Sequence, residues 1–527
     1  MQSADNHFEI HNIKIMKRIF LLTSIFLSVF LGAQEYIGDN CTSIMVGRLA
    51  STDGSVMTSH TCDGKYRTWT YMEPAADHAP GSMHTILKGT MKTAFRGDTT
   101  GVTVAGQIPQ VPHTYAYLNT GYPCLNEKQL AIGETTFGGP EILVNPEGWF
   151  TIEELERVAL QRCDNARDAI RTMGELAQKY GYGDVGECLT VADKNEVWQF
   201  EIIGVGKDKL GAAWVAQRIP DDEIGVSANI PRIGKIDRKN KDYYMASDNV
   251  EKVCKENGLW DGKGDFCFWK AMRSDYGNGK NYNDRELFIL RHFAPSLGLN
   301  YDMEEIPFSV KPEKKVDVRE VMAMFRETYD GTDFDMTKNV LLARPAKNGQ
   351  PADTIVSPVA NPWLTTTMRN TLNTIAPGTI DFRRTVAVAW CSYSHITQLR
   401  NWLPDSIGGV CWFSVDNPGQ SPRIPIFCGN TQLPYAFQIC GQNEYIPDCH
   451  LWQFRRANKL ATISWQLTKD GFNKKILEME ELAINGLPQG EPSAAVLNAY
   501  TEFIYNEAVK AWKELEAEYW VKFGLGF

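Results

Sequence analysis

Between residues 188 and 228 the chain runs through four short apolar, β-branched segments, at 188–192, 196–203, 213–219 and 225–228, parted by turn-forming residues such as Asp193-Lys194-Asn195. Connections this short leave no room for the crossovers that parallel strands require, so the segments predict an antiparallel meander. Further strands are predicted at 385–391, 409–415 and 423–427. Helical patterning is kept apart from them. Thr151 followed three residues later by Glu154 forms a capping-box sequence, and Ile152, Leu155, Val158, Ala159, Ala166, Ile170 and Met173 recur at helical spacing up to Gly181. From about residue 451 the tail reads as helix, with one apolar face over residues 495–519. Antiparallel strands with segregated helices define an α+β class with layered packing.

At 527 residues, with 43% hydrophobic side chains, the chain can bury a large core. Its formal charge of −10 is spread without a basic stripe, which argues against nucleic acid as a partner. Near the start, Met16-Lys17-Arg18 precedes a short apolar run over 19–31 that ends in Leu31-Gly32-Ala33. A basic start, an apolar stretch and small residues are the parts of a secretory signal, too short to span a bilayer. The expected organisation is therefore an over-extended start over 1–15, a signal peptide over 16–33, a leader over 34–40, and one catalytic domain over 41–527 with a helical extension from about 451. The mature protein is expected to be secreted or periplasmic, without stable membrane insertion. Twelve cysteines permit disulfides in such a compartment, but no CxxC or HExxH motif points to a metal, and neither metal nor organic cofactor is expected.

The segment 41–48 has strand composition, Ser51-Thr52-Asp53-Gly54 is a turn, and 55–60 reads as the returning strand, so Cys41 opens a hairpin. Composition alone gives a cysteine here two readings, a buried or bridged structural residue or a reactive thiol. Cys41-Thr42-Ser43-Ile44-Met45-Val46-Gly47, continued through Asp53-Gly54-Ser55 to Asp63, resembles the mature start of the N-terminal nucleophile cysteine dipeptidases, which include the secernins. The blocks 125–136, 226–234 and 402–410 resemble the same family in the same order. The resemblance implies a four-layer αββα sandwich, removal of a leader before Cys41, and hydrolysis of dipeptides or other small amides through an acyl-enzyme. An α-amine of pKa about 7.7–8.0 can take the proton of a thiol of pKa about 8.5, so one residue carries nucleophile and base.

Other roles follow from the resemblance. Asp63 would hold or orient the amine; its alternative is a turn residue before Gly64. The family pattern places an arginine where this chain has His60, which leaves the charge balance open and gives His60 a place at the substrate. Asn126, through its backbone donor, and Asn229, through its side-chain amide, would stabilise the oxyanion, as in the related bile-salt and penicillin amidases. Each also suits a turn. Glu134 and Thr135 would shape the substrate cleft or simply continue a strand. Arg232 and Arg384 can recognise a substrate carboxylate or neutralise neighbouring acids. Two alternatives stand beside the dipeptidase: an amidase of the bile-salt or penicillin type on the same nucleophile, and an exported binding protein that has lost catalysis, favoured by His60.

Overall fold

The structure, a computed structural model, describes residues 40–273, 279–347 and 352–525. The expected start, signal and leader, apart from Asn40, lie outside these residues. The described residues within 40–363 and 381–525 form one compact unit. Residues 364–380 fall in another and stand by themselves as a helix, Thr366–Ile375. Thr365 accepts from Met368 N at its start, and Asn373 pairs with both backbone groups of Ile380 at its end.

In chain order the main elements of the large unit are β1 (Ser43–Val46), β2 (Val56–Asp63), β3 (Ala131–Gly138), α1 (Ile152–Arg162), α2 (Ala166–Tyr180), β4 (Gly186–Ala192), β5 (Val197–Ile203), β6 (Ala213–Arg218), β7 (Ile224–Ser227), α3 (Asp284–Phe293), α4 (Val318–Phe325), β8 (Cys391–Leu399), β9 (Gly409–Val415), β10 (Ile424–Phe427), α5 (His450–Thr462), α6 (Trp465–Asn485) and α7 (Ala494–Phe523). Among the described residues there are two large sheets, antiparallel throughout. One has seven strands in the order Ser309–Val310, β7, β1, β2, β8, β9, β10. The other has eight, in the order Tyr244–Ala246, β6, β5, β4, β3, Leu125–Asn126, Tyr117–Asn119, Tyr71–Glu73. The molecule is thus a mixed α/β protein with antiparallel sheets and C-terminal helices. Helix α2 lies against β4, β5 and β6, while α3, α4, α5 and α7 lie against strands of the seven-stranded sheet.

Local chemistry accounts for the turns. Asp193 Oδ1 accepts from Asn195 N and Glu196 N at 2.7 and 3.1 Å, closing the β4–β5 hairpin. Asp53 Oδ1 does the same for Ser55 N at 3.0 Å in the β1–β2 hairpin. The two sheets meet through polar groups as well as apolar ones: the Thr58 and Thr190 hydroxyls are 2.6 Å apart, and those of Thr135 and Ser227 are 2.5 Å apart. Gly133 permits this approach, since a Cβ there would sit 2.2 Å from the Ser59 carbonyl oxygen.

Four expectations need correction. The meander holds only for β4, β5 and β6, because β7 leaves it to pair with β1, Ser227 opposite Ser43. The helix expected over 152–181 is two helices, broken at Cys163-Asp164-Asn165, where Asn165 Oδ1 accepts from Asp168 N at 2.9 Å and starts the second. Thr151 precedes the first helix without capping it, and Asp184 Oδ2 accepts from Ile152 N instead, at 3.4 Å. The strand expected over 385–391 is a loop, held by Thr385 Oγ1 on the Ala387 carbonyl, and β8 begins where it was to end. All twelve cysteines are free thiols.

Candidate active site

Cys41 lies just before β1, and the adjoining Thr42 bridges to Thr61 on β2. Its side chain is 1% exposed. The backbone nitrogen of Cys41 donates to Asn229 Oδ1 at 2.9 Å. Asn229 follows β7 at φ 68°, a left-handed conformation that asparagine tolerates better than most residues, and its Nδ2 donates to the Thr136 carbonyl at 2.7 Å. The turn reading of Asn229 fits this conformation, and the residue lies beside Cys41. Its acceptor oxygen, however, faces the residue-41 nitrogen, while its amide donor is committed to Thr136.

Arg285 was missed by the sequence reading. Its Nη1 donates to the Cys41 carbonyl at 2.6 Å and to Thr42 Oγ1 at 3.0 Å, and its Nη2 donates to Asn229 Oδ1 and the Ala228 carbonyl, each at 2.9 Å. It stands in the first turn of α3, which a capping box of Asn283 and Glu286 starts. Asn283-x-x-Glu286 ahead of Leu287-Phe288-Ile289-Leu290 was the available signal. Burial, then repulsion from Arg384, pushes the Arg285 guanidinium down to about 10.

Asp63, at the end of β2, accepts from Thr61 Oγ1 at 3.1 Å and from Arg384 Nη2 at 2.5 Å, both on Oδ2, while its buried Oδ1 has no partner. Arg384 Nη2 also reaches the Asn40 carbonyl at 3.4 Å. The guanidinium is thus placed on the carbonyl of the peptide bond that precedes Cys41. Two arginines supply fixed positive charge here.

His60 and Glu134 complete the surroundings of the thiol: Cys41 Sγ, one His60 ring nitrogen and one Glu134 carboxylate oxygen all lie within 4.8 Å of one another. His60 Nε2 and Glu134 Oε2 are in ion-pair contact at 3.3 Å, without hydrogen-bond alignment. Burial would raise the Glu134 carboxyl, but His60 brings it below the usual range. Glu187 beside it is pushed well up, by burial and then by Glu134. Of these two carboxyls one keeps its proton. The Cys41 thiol is held well above the ordinary thiol range by burial first, then by Glu134, Cys62 and Asp63, with the Asp63 backbone N–H opposing. With the Asn40–Cys41 peptide intact, the sulfur is a protonated, quiet thiol.

The remaining expected residues lie elsewhere in function. Asn126 donates its backbone N–H to the Leu130 carbonyl at 2.9 Å and its Nδ2 to the carbonyls of Leu160 and Cys163, each at 2.8 Å. Both its donors are engaged, so it ties the 126–130 turn to α1 and offers nothing to an oxyanion. Arg232 is buried, with its guanidinium on the carbonyls of Asn281, Pro307 and Phe308. It secures loops and is not free for a substrate. Thr135 is likewise buried, and its hydroxyl joins the two sheets through Ser227 instead of lining a cleft.

A buried thiol whose own backbone nitrogen is held by a side-chain amide oxygen, among paired carboxylates and guanidinium groups, is an arrangement that can serve amide-bond hydrolysis. Comparison with known proteins agrees: the family model for peptidase family C69 matches residues 40–478, opening one residue before the thiol. The protein is a hydrolase of the peptidase class, and the chain belongs to peptidase family C69. It is similar to a probable dipeptidase of Latilactobacillus sakei, at 25% identity over 84% of this chain and 89% of the relative. It is also similar to a probable dipeptidase of Salmonella dublin, at 26% identity over 74% and 81%. Dipeptidase A of Lactobacillus helveticus matches at 21% identity over 76% and 77%.

Proposed function

We propose that this chain is an exported dipeptidase that uses the Cys41 thiol as nucleophile and the Cys41 α-amine, freed by removal of the leader, as base. The observation that carries the proposal is the convergence of Asn229 Oδ1 and Arg285 on the residue-41 backbone. A buried backbone nitrogen needs an acceptor in any case; here the acceptor is a side-chain amide oxygen that Arg285 also holds, and the pair would stay in place to receive an amine once the leader is gone. The names of the relatives support dipeptides as substrates. Helices packed on strands of each of two sheets that touch one another support the four-layer αββα sandwich that the resemblance implies.

Cleavage of the Asn40–Cys41 peptide converts the amide nitrogen into an amine, with Asn229 Oδ1 as its acceptor. Arg285 disfavours the ammonium form and Asp63 favours it, which keeps the amine in reach of neutral pH. The amine takes the Cys41 proton, the thiolate adds to the scissile carbonyl, and the ammonium returns that proton to the leaving amine. Water, deprotonated by the same amine, then releases the acyl group from sulfur. Arg384, on the Asn40 carbonyl, is suited to polarise that carbonyl during leader removal. Arg285 and Arg384 also remove the reason for the binding-protein reading, because His60 no longer leaves the site without fixed positive charge.

The test is Cys41→Ala assayed on a dipeptide panel. Turnover is expected to fall by at least about a thousandfold, with the leader still attached. A processed variant of undiminished activity would refute the proposal.

A further inference from the structure

A second cluster of sulfur and imidazole lies behind the first. One ligand atom from each of Cys124, His395 and Cys411 falls within 4.8 Å of the other two, and all three residues are fully buried. The sheet register puts two of them together: Cys411 on β9 is opposite Thr397 on β8, two residues from His395 and on the same face, so the side chains are diagonal cross-strand neighbours. Cys124 comes from the other side, immediately before the strand Leu125–Asn126 of the eight-stranded sheet. Neither ring nitrogen of His395 has a hydrogen-bond partner. An imidazole buried with both nitrogens unpaired is costly unless something else occupies them.

We propose that Cys124, His395 and Cys411 form an interior site for a closed-shell thiophilic cation, Zn2+ or Cu+. Two thiols and one imidazole, with no carboxylate among them, are the donor set such ions select. Binding replaces the two thiol protons, which leave to solvent, and Arg423, whose charge acts on both His395 and Cys411, offsets the thiolates. The bound ion joins the two sheets. It also stands one ring away from the catalytic cluster, since the His395 and His60 rings are edge-to-face with centroids 5.6 Å apart. The proposal does not depend on Cys41 being the nucleophile.

The test uses full-length Cys41→Ser protein under a phosphine reductant, which takes the thiol out of the neighbouring cluster. It is loaded with Zn2+ or with Cu+, desalted, and assayed for metal and, by alkylation and mass spectrometry, for thiol protection. About one equivalent of either ion is expected to stay, with Cys124 and Cys411 shielded from alkylation, and retention is expected to disappear in Cys411→Ser and in His395→Asn. Retention of Zn2+ means the site finds a fourth ligand, and of Cu+ alone that it is trigonal; both support it. No retained metal, retention lost on His60→Gln but kept on Cys411→Ser, or a Cys124–Cys411 disulfide in protein isolated without reductant would overturn it. Alkylation mapping needs no variant of the cluster, so it decides the matter even where those variants fail to fold.

Discussion

Arg285 and Asp63 set opposing charges near residue 41, whose nitrogen donates to the neutral Asn229 amide, and in the proposed mechanism the pH profile is where their balance is read. The base works only when neutral, so raising its pKa moves the acidic limb of kcat/KM to higher pH. Asn229→Asp puts a negative charge 2.9 Å from that nitrogen and is expected to move the limb up by about one to three units. Arg285→Gln removes a positive charge and is expected to move it in the same direction, while Arg285→Lys restores the charge and much of the profile. An unmoved limb in both Asn229→Asp and Arg285→Gln would remove the α-amine from the mechanism. Cys41, Asp63 and Asn229 were singled out in the sequence through the family resemblance of the blocks that hold them, and the fold brings Asn229 to the nitrogen of Cys41. Arg285 was not, since it is 244 residues from Cys41 in sequence and only the fold carries α3 to β1. Asn126 was given its role by the resemblance and Arg232 by its residue type, and in both local packing consumes the donors.

Element by element, alternation and turn chemistry predicted the β1–β2 hairpin, β4 to β6, β9, β10 and the C-terminal helices. The break between α1 and α2 was hidden because apolar spacing continues across it, although Asn165 with Asp168 is an ordinary helix start. Asn165→Ala is expected to cost about 1 kcal/mol in chemical denaturation. The β8 segment Cys391–Leu399 is buried along its whole length and reads polar in places, so its pattern does not stand out. His450, at the first position of α5, donates from Nδ1 to the Ala436 carbonyl at 3.1 Å and stacks on Phe437 at 4.7 Å. Burial pushes its imidazole down to about 4. The unfolded chain, with a value near 6.5, takes the proton first, so this contribution is complete above 6.5 and is lost as pH falls toward 4. The loss is on the order of 3 kcal/mol. Melting temperature followed from pH 7 to 4 should fall less steeply in His450→Asn than in the parent; parallel curves would contradict this.

For the whole molecule, the close approach of the two sheets holds the thiol, His60 and Glu134 in one buried layer. Gly133→Ala pushes a methyl group against the Ser59 carbonyl and is expected to destabilise by about 1–3 kcal/mol and to lower activity in the same protein. Full stability and full activity in that variant would mean that the sheets can part without consequence. Layered α+β organisation could be read from segregated patterning, but which strands share a sheet could not, because β7 pairs with β1 across most of the intervening chain. The proposed leader removal belongs to this scale too: in that proposal the quiet thiol of the intact chain becomes reactive only when the polypeptide begins at it. The direct measurement is the N-terminal residue of purified, active enzyme, read by Edman or mass-spectrometric sequencing. A start at Cys41 in the active fraction is the expected result, and full dipeptide hydrolysis by a chain that still carries residues before Cys41 would contradict the account.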